Sequence, residues 1–246
     1  MSAPRTPDGA RLHPIYPDVF VVIPALDEAE SLGCVIASLP EVKGVAVVDN
    51  GSTDRTVEVA RAALATRPNG TVVSEPRRGY GAACLAGIRA AVPFDPKVLV
   101  ILDADESTDV SDFGAIVDPI LRDEADMVLG DRTDRAEADA LTPVQRFGNV
   151  LATHLIERFT GHRYRDMGPF RAIRMEALLL LQMEEPTWGW NVEMQMKAIR
   201  RGLRVREVAV SYRPRQHGQS KISGNLKGAM RAGGRILVAT LRYRTR

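Results

Sequence analysis

Asp103-Ala104-Asp105-Glu106 closes a run of apolar residues, 98–102. Like charges this close raise one another's pKa, and burial at a strand end adds to the cost. A divalent cation removes that cost, because hard oxygen ligands suit Mg or Mn. Asp103 and Asp105 are two apart, so on an extended backbone their carboxylates point the same way and can converge on one ion. The plain alternative is an acidic loop that merely follows a strand. Ser107 is near enough in sequence to add a ligand, directly or through water, and Glu106 has no assigned task.

Other residues of this kind recur at strand ends. Residues 19–23 stop at Pro24 and lead to Asp27 and Glu28; residues 45–48 end in Asp49-Asn50-Gly51-Ser52, followed by Asp54; residues 71–73 end in Ser74-Glu75. Asp49 suits a turn as well as a ligand contact, and Asp54 suits an N-cap for a helix starting at Arg55. Arg77-Arg78-Gly79-Tyr80-Gly81 precedes a helical run to residue 91. A helix N-terminus presents free N–H groups to an anion, and glycine lets the backbone approach it. Helix initiation accounts for the same residues. Trp188 and Trp190 suit either a ligand platform or core packing.

The elements that must position these groups follow from periodicity. Four strand–helix units in succession predict a mostly parallel sheet covered on both faces, with ligands outside the carboxyl ends of its strands. Later come helices over 112–122, 143–160 and 175–183, a strand over 127–130, and a polar, mobile loop over 133–142. Residues 161–171 read as turns. A helix to residue 200, capped by Asn191, is followed by a strand over 205–212 and a basic tail, helical from about 224. The reading is a flexible leader over 1–17 and one domain over 18–246 with two lobes that meet at about residue 132.

Of 246 residues, 45% are hydrophobic and 26% charged, and the net charge is +2. That balance gives no reason to expect nucleic acid. There is no apolar run of about 18 residues to span a membrane and no signal peptide. Cys34 and Cys84 read as buried free thiols of a reducing compartment. Lys221, Lys227, Arg231, Arg235, Arg242 and Arg244 alternate with apolar residues. That pattern suits an anionic membrane surface, a helix packed on the domain, or contact with a second copy.

Taken in order, these motifs resemble family 2 glycosyltransferases of the GT-A fold over about residues 19–235. The segments that carry the likeness are Val21 through Glu28, Val47 through Asp54, Arg77 through Ala83, Asp103-Ala104-Asp105, Gly130-Asp131-Arg132, Asp166 through Arg171, and Ser220-Lys221. The nearest type is the polyprenyl-phosphate sugar synthases. The resemblance implies a UDP- or GDP-hexose donor, a Mg or Mn ion and inversion at the anomeric carbon. It assigns Pro24, Ala25, Leu26, Glu28, Asp49, Gly51, Ser52, Arg78 and Gly79 to the nucleotide. Asp103, Ala104, Arg132, Arg215 and Lys221 go to the rest of the donor, and Asp103, Asp105 and His217 to the metal. Asp105 is assigned to catalysis, with Glu193 where relatives keep a general base and Asp166 as its rival. A base is needed for a hydroxyl acceptor and superfluous for a phosphate.

The preferred expectation is transfer to polyprenyl phosphate by a cytoplasmic protein that touches the inner face of the membrane. A hydroxyl of a soluble metabolite or glycan is the alternative acceptor. A silent nucleotide-sugar binding module is the remote one.

Overall fold

The computed structural model describes residues 15–138, 140–216, 234 and 238–243. The chain runs β1 (Ile15–Ala25), α1 (Leu32–Ser38), β2 (Glu41–Asp49), α2 (Thr56–Leu64), β3 (Gly70–Ser74), α3 (Tyr80–Ala91) and β4 (Val98–Ile101). It continues as α4 (Phe113–Leu121), β5 (Met127–Asp131), α5 (Pro143–Thr160), β6 (Arg171–Arg174), α6 (Met175–Leu181), α7 (Trp190–Arg200) and β7 (Val205–Ala209). The strands form one sheet in the order β3-β2-β1-β4-β6-β5-β7. β6 is antiparallel to β4 and β5, and the other pairings are parallel. This is the α/β architecture expected.

β1 shows why the sheet is covered on both faces. Val19, Val21 and Ile23 pack with α1 and α4, whereas Phe20 and Val22 pack with α3 and α7. Successive side chains of a strand point to opposite faces, so a continuous apolar run requires two cores. From β1 the chain moves outward through β2 and β3, then returns to place β4 on the other side of β1. The crevice between the carboxyl ends of β1 and β4 is therefore the switch point at which open α/β sheets bind ligands.

Several boundaries differ from expectation. β1 begins at Ile15, inside the supposed leader: Ile15 pairs with Glu41 and Tyr16 with Val42, and the Tyr16 ring lies 5.2 Å from that of Phe113. β6 overlaps the end of the expected turn segment at Arg171 and covers residues 172–174, for which no element is expected, because four residues that begin and end in arginine carry little strand signal. Gly189, not Asn191, precedes α7, and the Asn191 amide instead donates to the Met167 carbonyl. β7 stops at Ala209, and Tyr212 forms separate bridges to Thr108 and Ala136. The Ala136 bridge and an Arg165–Asp134 ion pair of 2.6 Å tie down part of the loop expected to be mobile. α5 matches its expected span, with Pro143 in its first turn and a reciprocal Thr142–Gln145 capping box. Cys84 is buried, but Cys34 is exposed on α1.

Asp126 locks the start of β5 to the start of β7. Its carboxylate accepts from the Arg204 backbone N–H at 2.9 Å and from the guanidinium at 2.8 and 3.1 Å. Those bonds hold its pKa down at about 2. A depressed carboxylate contributes stability above its unfolded pKa and loses it as pH falls through the folded value. With Arg204 half exposed, the contribution is about 1 kcal/mol after screening. Asp126→Asn is expected to lower the urea unfolding free energy by that amount at pH 7, and the gap should close between about pH 4 and pH 2. A gap that persists unchanged to pH 2 would refute the assignment.

Candidate active site

The loops leaving β1 and β2 are laced together. The Asp27 N–H donates to Ser52 Oγ at 2.9 Å, and the Asp27 carboxylate accepts from the Thr53 N–H at 2.7 Å. The Glu28 N–H donates to Thr56 Oγ1 at 2.8 Å. Asp54 accepts from the N–H groups of Thr56 and Ala29, so it serves the start of α2 as expected, one residue ahead of the cap position. Asp49 accepts from the N–H groups of Gly51 and Ser52, which makes it a turn former. Gly51 has φ +85°, and a Cβ there would meet the Arg78 guanidinium at about 3.1 Å. The bare backbone thus lets Arg78 lie across the turn. Pro24, Ala25 and Leu26 complete this shelf, and the Ala25 carbonyl accepts from the Asn50 N–H.

Asn50 was missed. Its amide donates to the carbonyls of Glu75 and Arg77, and its oxygen accepts from the Gly79 N–H. It therefore holds the Arg77-Arg78-Gly79 turn. Only its place at a strand end hinted at this.

The N-terminus of α3 differs from the reading given to it. The Gly81 N–H donates to the Thr187 carbonyl at 3.3 Å and the Ala82 N–H to the Pro186 carbonyl at 2.9 Å. A Cβ on Gly79 would lie 2.2 Å from the Pro186 oxygen, and one on Gly81 2.0 Å from that of Glu185. These glycines admit a neighbouring loop, and the N–H groups of Gly81 and Ala82 are engaged by protein rather than left for a phosphate.

Asp103 and Asp105 stand at the end of β4, beside Glu28. A bond from Ser31 Oγ to the Ala104 carbonyl, 2.8 Å, draws the two loops together. Among the described residues, no hydrogen bond reaches the Asp103 carboxylate. Burial first, and then Asp105, push its pKa up to about 7, with Arg132 and Arg215 opposing. Asp105 Oδ1 accepts from Ser107 N–H and Oγ–H, so Ser107 orients the aspartate. Oδ2 accepts from Arg215 Nε at 3.2 Å and Nη2 at 3.0 Å. The same guanidinium donates to Glu28 at 2.8 and 3.2 Å. Glu106, at φ +59°, accepts from the Cys34 thiol and raises its pKa.

Two crowded carboxylates that draw in a guanidinium fit a hard divalent cation. No group of three or more His, Cys, Asp or Glu side chains placed to hold a metal occurs among the described residues. Asp103 and Asp105 are the two carboxylates that such an ion would meet at the end of β4. His217 and Lys221 lie outside the described residues.

Arg132 follows β5. Asp166 accepts from its Nε at 2.7 Å, Nη2 at 2.8 Å and backbone N–H at 3.0 Å, and its guanidinium sits 4.9 Å from the centre of the Tyr212 ring. Although burial opposes it, the Arg132 bonds hold Asp166 below the usual carboxylate range. Asp166 anchors Arg132, and those bonds leave it a poor proton acceptor.

Glu193 is likewise no free base. It is completely buried and accepts from the backbone N–H groups of Glu184 at 3.0 Å and Glu185 at 2.8 Å. Lys197 Nζ, 2.7 Å away, completes the pair. The loop it pins, 184–187, is the one that receives the N–H groups of α3. Of the tryptophans, Trp190 is core, and Trp188 is partly exposed and stacked on Tyr80 at 6.0 Å.

The model for "Glycosyl transferase family 2" matches residues 20–180. An uncharacterized glycosyltransferase of Mycobacterium tuberculosis is 40% identical over 86% of this chain and 93% of its own length. The undecaprenyl-phosphate mannosyltransferase of Micrococcus luteus is 29% identical over 85% and 89%. Glucosyl-3-phosphoglycerate synthase of M. tuberculosis, solved with Mn2+, UDP and its product, superposes with a TM-score of 0.71 at 20% identity, over 92% of this chain and 79% of that one. That likeness is one of fold: the GT-A architecture.

Proposed function

The chain belongs to glycosyl transferase family 2, and on that premise we propose that it moves a hexose from a UDP- or GDP-sugar to polyprenyl phosphate in one inverting displacement. The observation that carries the acceptor is the state of the two candidate bases. Asp166 is spent on Arg132 and Glu193 on Lys197 and two backbone N–H groups. A phosphate is already an anion at neutral pH and needs no base, whereas a hydroxyl does. Relatives named for undecaprenyl-phosphate and dolichyl-phosphate acceptors support the same reading.

Asp103 and Asp105 would hold the divalent cation, which when bound offsets charge on the departing nucleoside diphosphate. The chain's own residues do the rest. The shelf of Pro24, Ala25, Leu26, Glu28, Asp49, Gly51 and Ser52 receives the nucleoside, with Arg78 across Gly51. Ala104, whose carbonyl accepts from Ser31, would lie beside the diphosphate. Arg132, fixed by Asp166 and Tyr212, supplies a preoriented positive charge near Asp103. Residues 18–132 form the donor half and 133–246 the acceptor half. No described helix is long and apolar enough to cross a membrane. Access to a lipid acceptor would then come from peripheral contact at the cytoplasmic face of the membrane. The basic tail proposed for that contact, and for a homodimer, lies largely outside the described residues.

Incubation with Mn2+, UDP- or GDP-hexoses and polyprenyl phosphate should yield a lipid-linked sugar. Product on a soluble hydroxyl acceptor alone would overturn the acceptor. Thermal shift with Mn2+ should show stabilisation by one nucleotide, about 3 kcal/mol at a hundredfold excess over Kd; equal indifference to UDP and GDP would overturn the donor.

A further inference from the structure

Asp105 is saturated. A carboxylate offers about four lone-pair sites. Here Ser107 fills two on Oδ1, and Arg215 fills two on Oδ2. Glu28 holds the far side of the same guanidinium through two further bonds, so Arg215 is clamped between the ends of β1 and β4. A cation that takes Asp105 must displace Ser107 from Oδ1 or Arg215 from Oδ2, and the guanidinium, carrying the same sign of charge as the ion, is the partner it drives off.

The segment carrying Arg215 is built for such an exchange. Its last backbone anchors to the sheet are the Tyr212 bridges and the bond from the Arg213 N–H to the Ser107 carbonyl, 2.8 Å. Arg213 is also paired with Asp109. Among the described residues, no backbone hydrogen bond to the rest of the fold follows Arg213. Arg215 can leave Asp105 without disturbing a strand.

We propose that Arg215 is an exchangeable counter-ion that makes cation and nucleotide binding cooperative, an inference that rests on the metal-dependent reading above. A bare cation competes with Arg215 for Oδ2 and leaves the half-buried guanidinium with Glu28 as its remaining carboxylate partner. A cation arriving with a nucleoside diphosphate brings phosphate oxygens that can accept the displaced guanidinium in bidentate fashion. Each ligand then strengthens the other, and by linkage the coupling is reciprocal. The site thereby favours the ion–nucleotide complex over a free ion.

The test is a Mn2+ titration followed by electron paramagnetic resonance of the free ion, run without nucleotide and with saturating UDP or, in a separate arm, GDP. Wild type should bind Mn2+ at least about tenfold more tightly with the effective nucleotide, within the usual range of coupling. Arg215→Gln should bind Mn2+ alone more tightly than wild type, and Mn2+ with nucleotide more weakly. Arg215→Lys keeps the charge but lacks the planar fork that pairs bidentately with a phosphate, and should fall between. The crossing of the two effects is the signature, because simple loss of a nearby positive charge would tighten both arms. Tightening in both arms, or weakening in both, overturns the proposal. Asp105→Asn separates the two ideas: it should weaken Mn2+ binding in both arms. If it does not, the metal-site reading itself fails. If it does and Arg215→Gln shows no crossing, only the counter-ion role fails.

Discussion

Asp105→Asn is expected to lower sugar transfer by about a thousandfold or more while leaving the fold standing, a loss of about 4 kcal/mol or more in transition-state stabilisation. Asparagine keeps one oxygen to accept from Ser107 but presents a neutral amide where Oδ2 stood. A hard cation then faces Asp103 alone, and the charge on the leaving diphosphate loses its main offset. Stability should change little, because Arg215 keeps its two bonds to Glu28, and the neutral side chain removes the Asp105 charge that, after burial, raises the Asp103 pKa. Single-turnover transfer at saturating donor, with circular dichroism to check folding, decides it. Turnover within tenfold of wild type would remove Asp105 from the chemistry.

Glu193→Ala should have the largest effect on stability. It strands the Lys197 ammonium in the core and leaves the N–H groups of Glu184 and Glu185 without their acceptor. Breaking a buried pair in this way costs about 3–5 kcal/mol. Glu193→Gln keeps one acceptor oxygen and should cost less, about 1–3 kcal/mol. Urea unfolding measures both. Because the carboxylate has no free face, Glu193→Gln should retain turnover within about tenfold wherever the enzyme remains folded. A Glu193→Gln enzyme that melts like wild type and yet loses a thousandfold in kcat would restore the general-base role. A double change of Glu193 and Lys197 to methionine should recover much of the stability lost by Glu193→Ala, since apolar packing often replaces a buried ion pair without loss.

These two carboxylates mark what could be read from residue order. Asp103 and Asp105 sit two apart at the end of an apolar run, so alternation along one strand already put both side chains on one side. Adjacent groups report on each other through local geometry. Glu193 stood in a helical pattern beside tryptophans, and its partners, the N–H groups of Glu184 and Glu185, belong to a loop whose path no periodicity describes. Position within a motif suggested a base. Burial and four hydrogen bonds, seen only after folding, made it a structural acid. Asp166 was as illegible for the same reason, its partner Arg132 lying 34 residues away.

The sequence by itself determined the apolar strands of the first half, their polar carboxyl ends, the parallel sheet they must form and the span of α5, because those follow from side-chain period and from caps within a few residues. Only the tertiary structure decided that β1 starts at Ile15, that β6 enters the sheet antiparallel, and that the glycines at the start of α3 admit the 185–187 loop. It also decided that Arg215 closes on Glu28, 187 residues away. Such contacts depend on where distant loops are carried by the sheet. Hydrogen bonds and charge pairs form between whatever groups packing brings within about 3 Å, irrespective of their order along the chain.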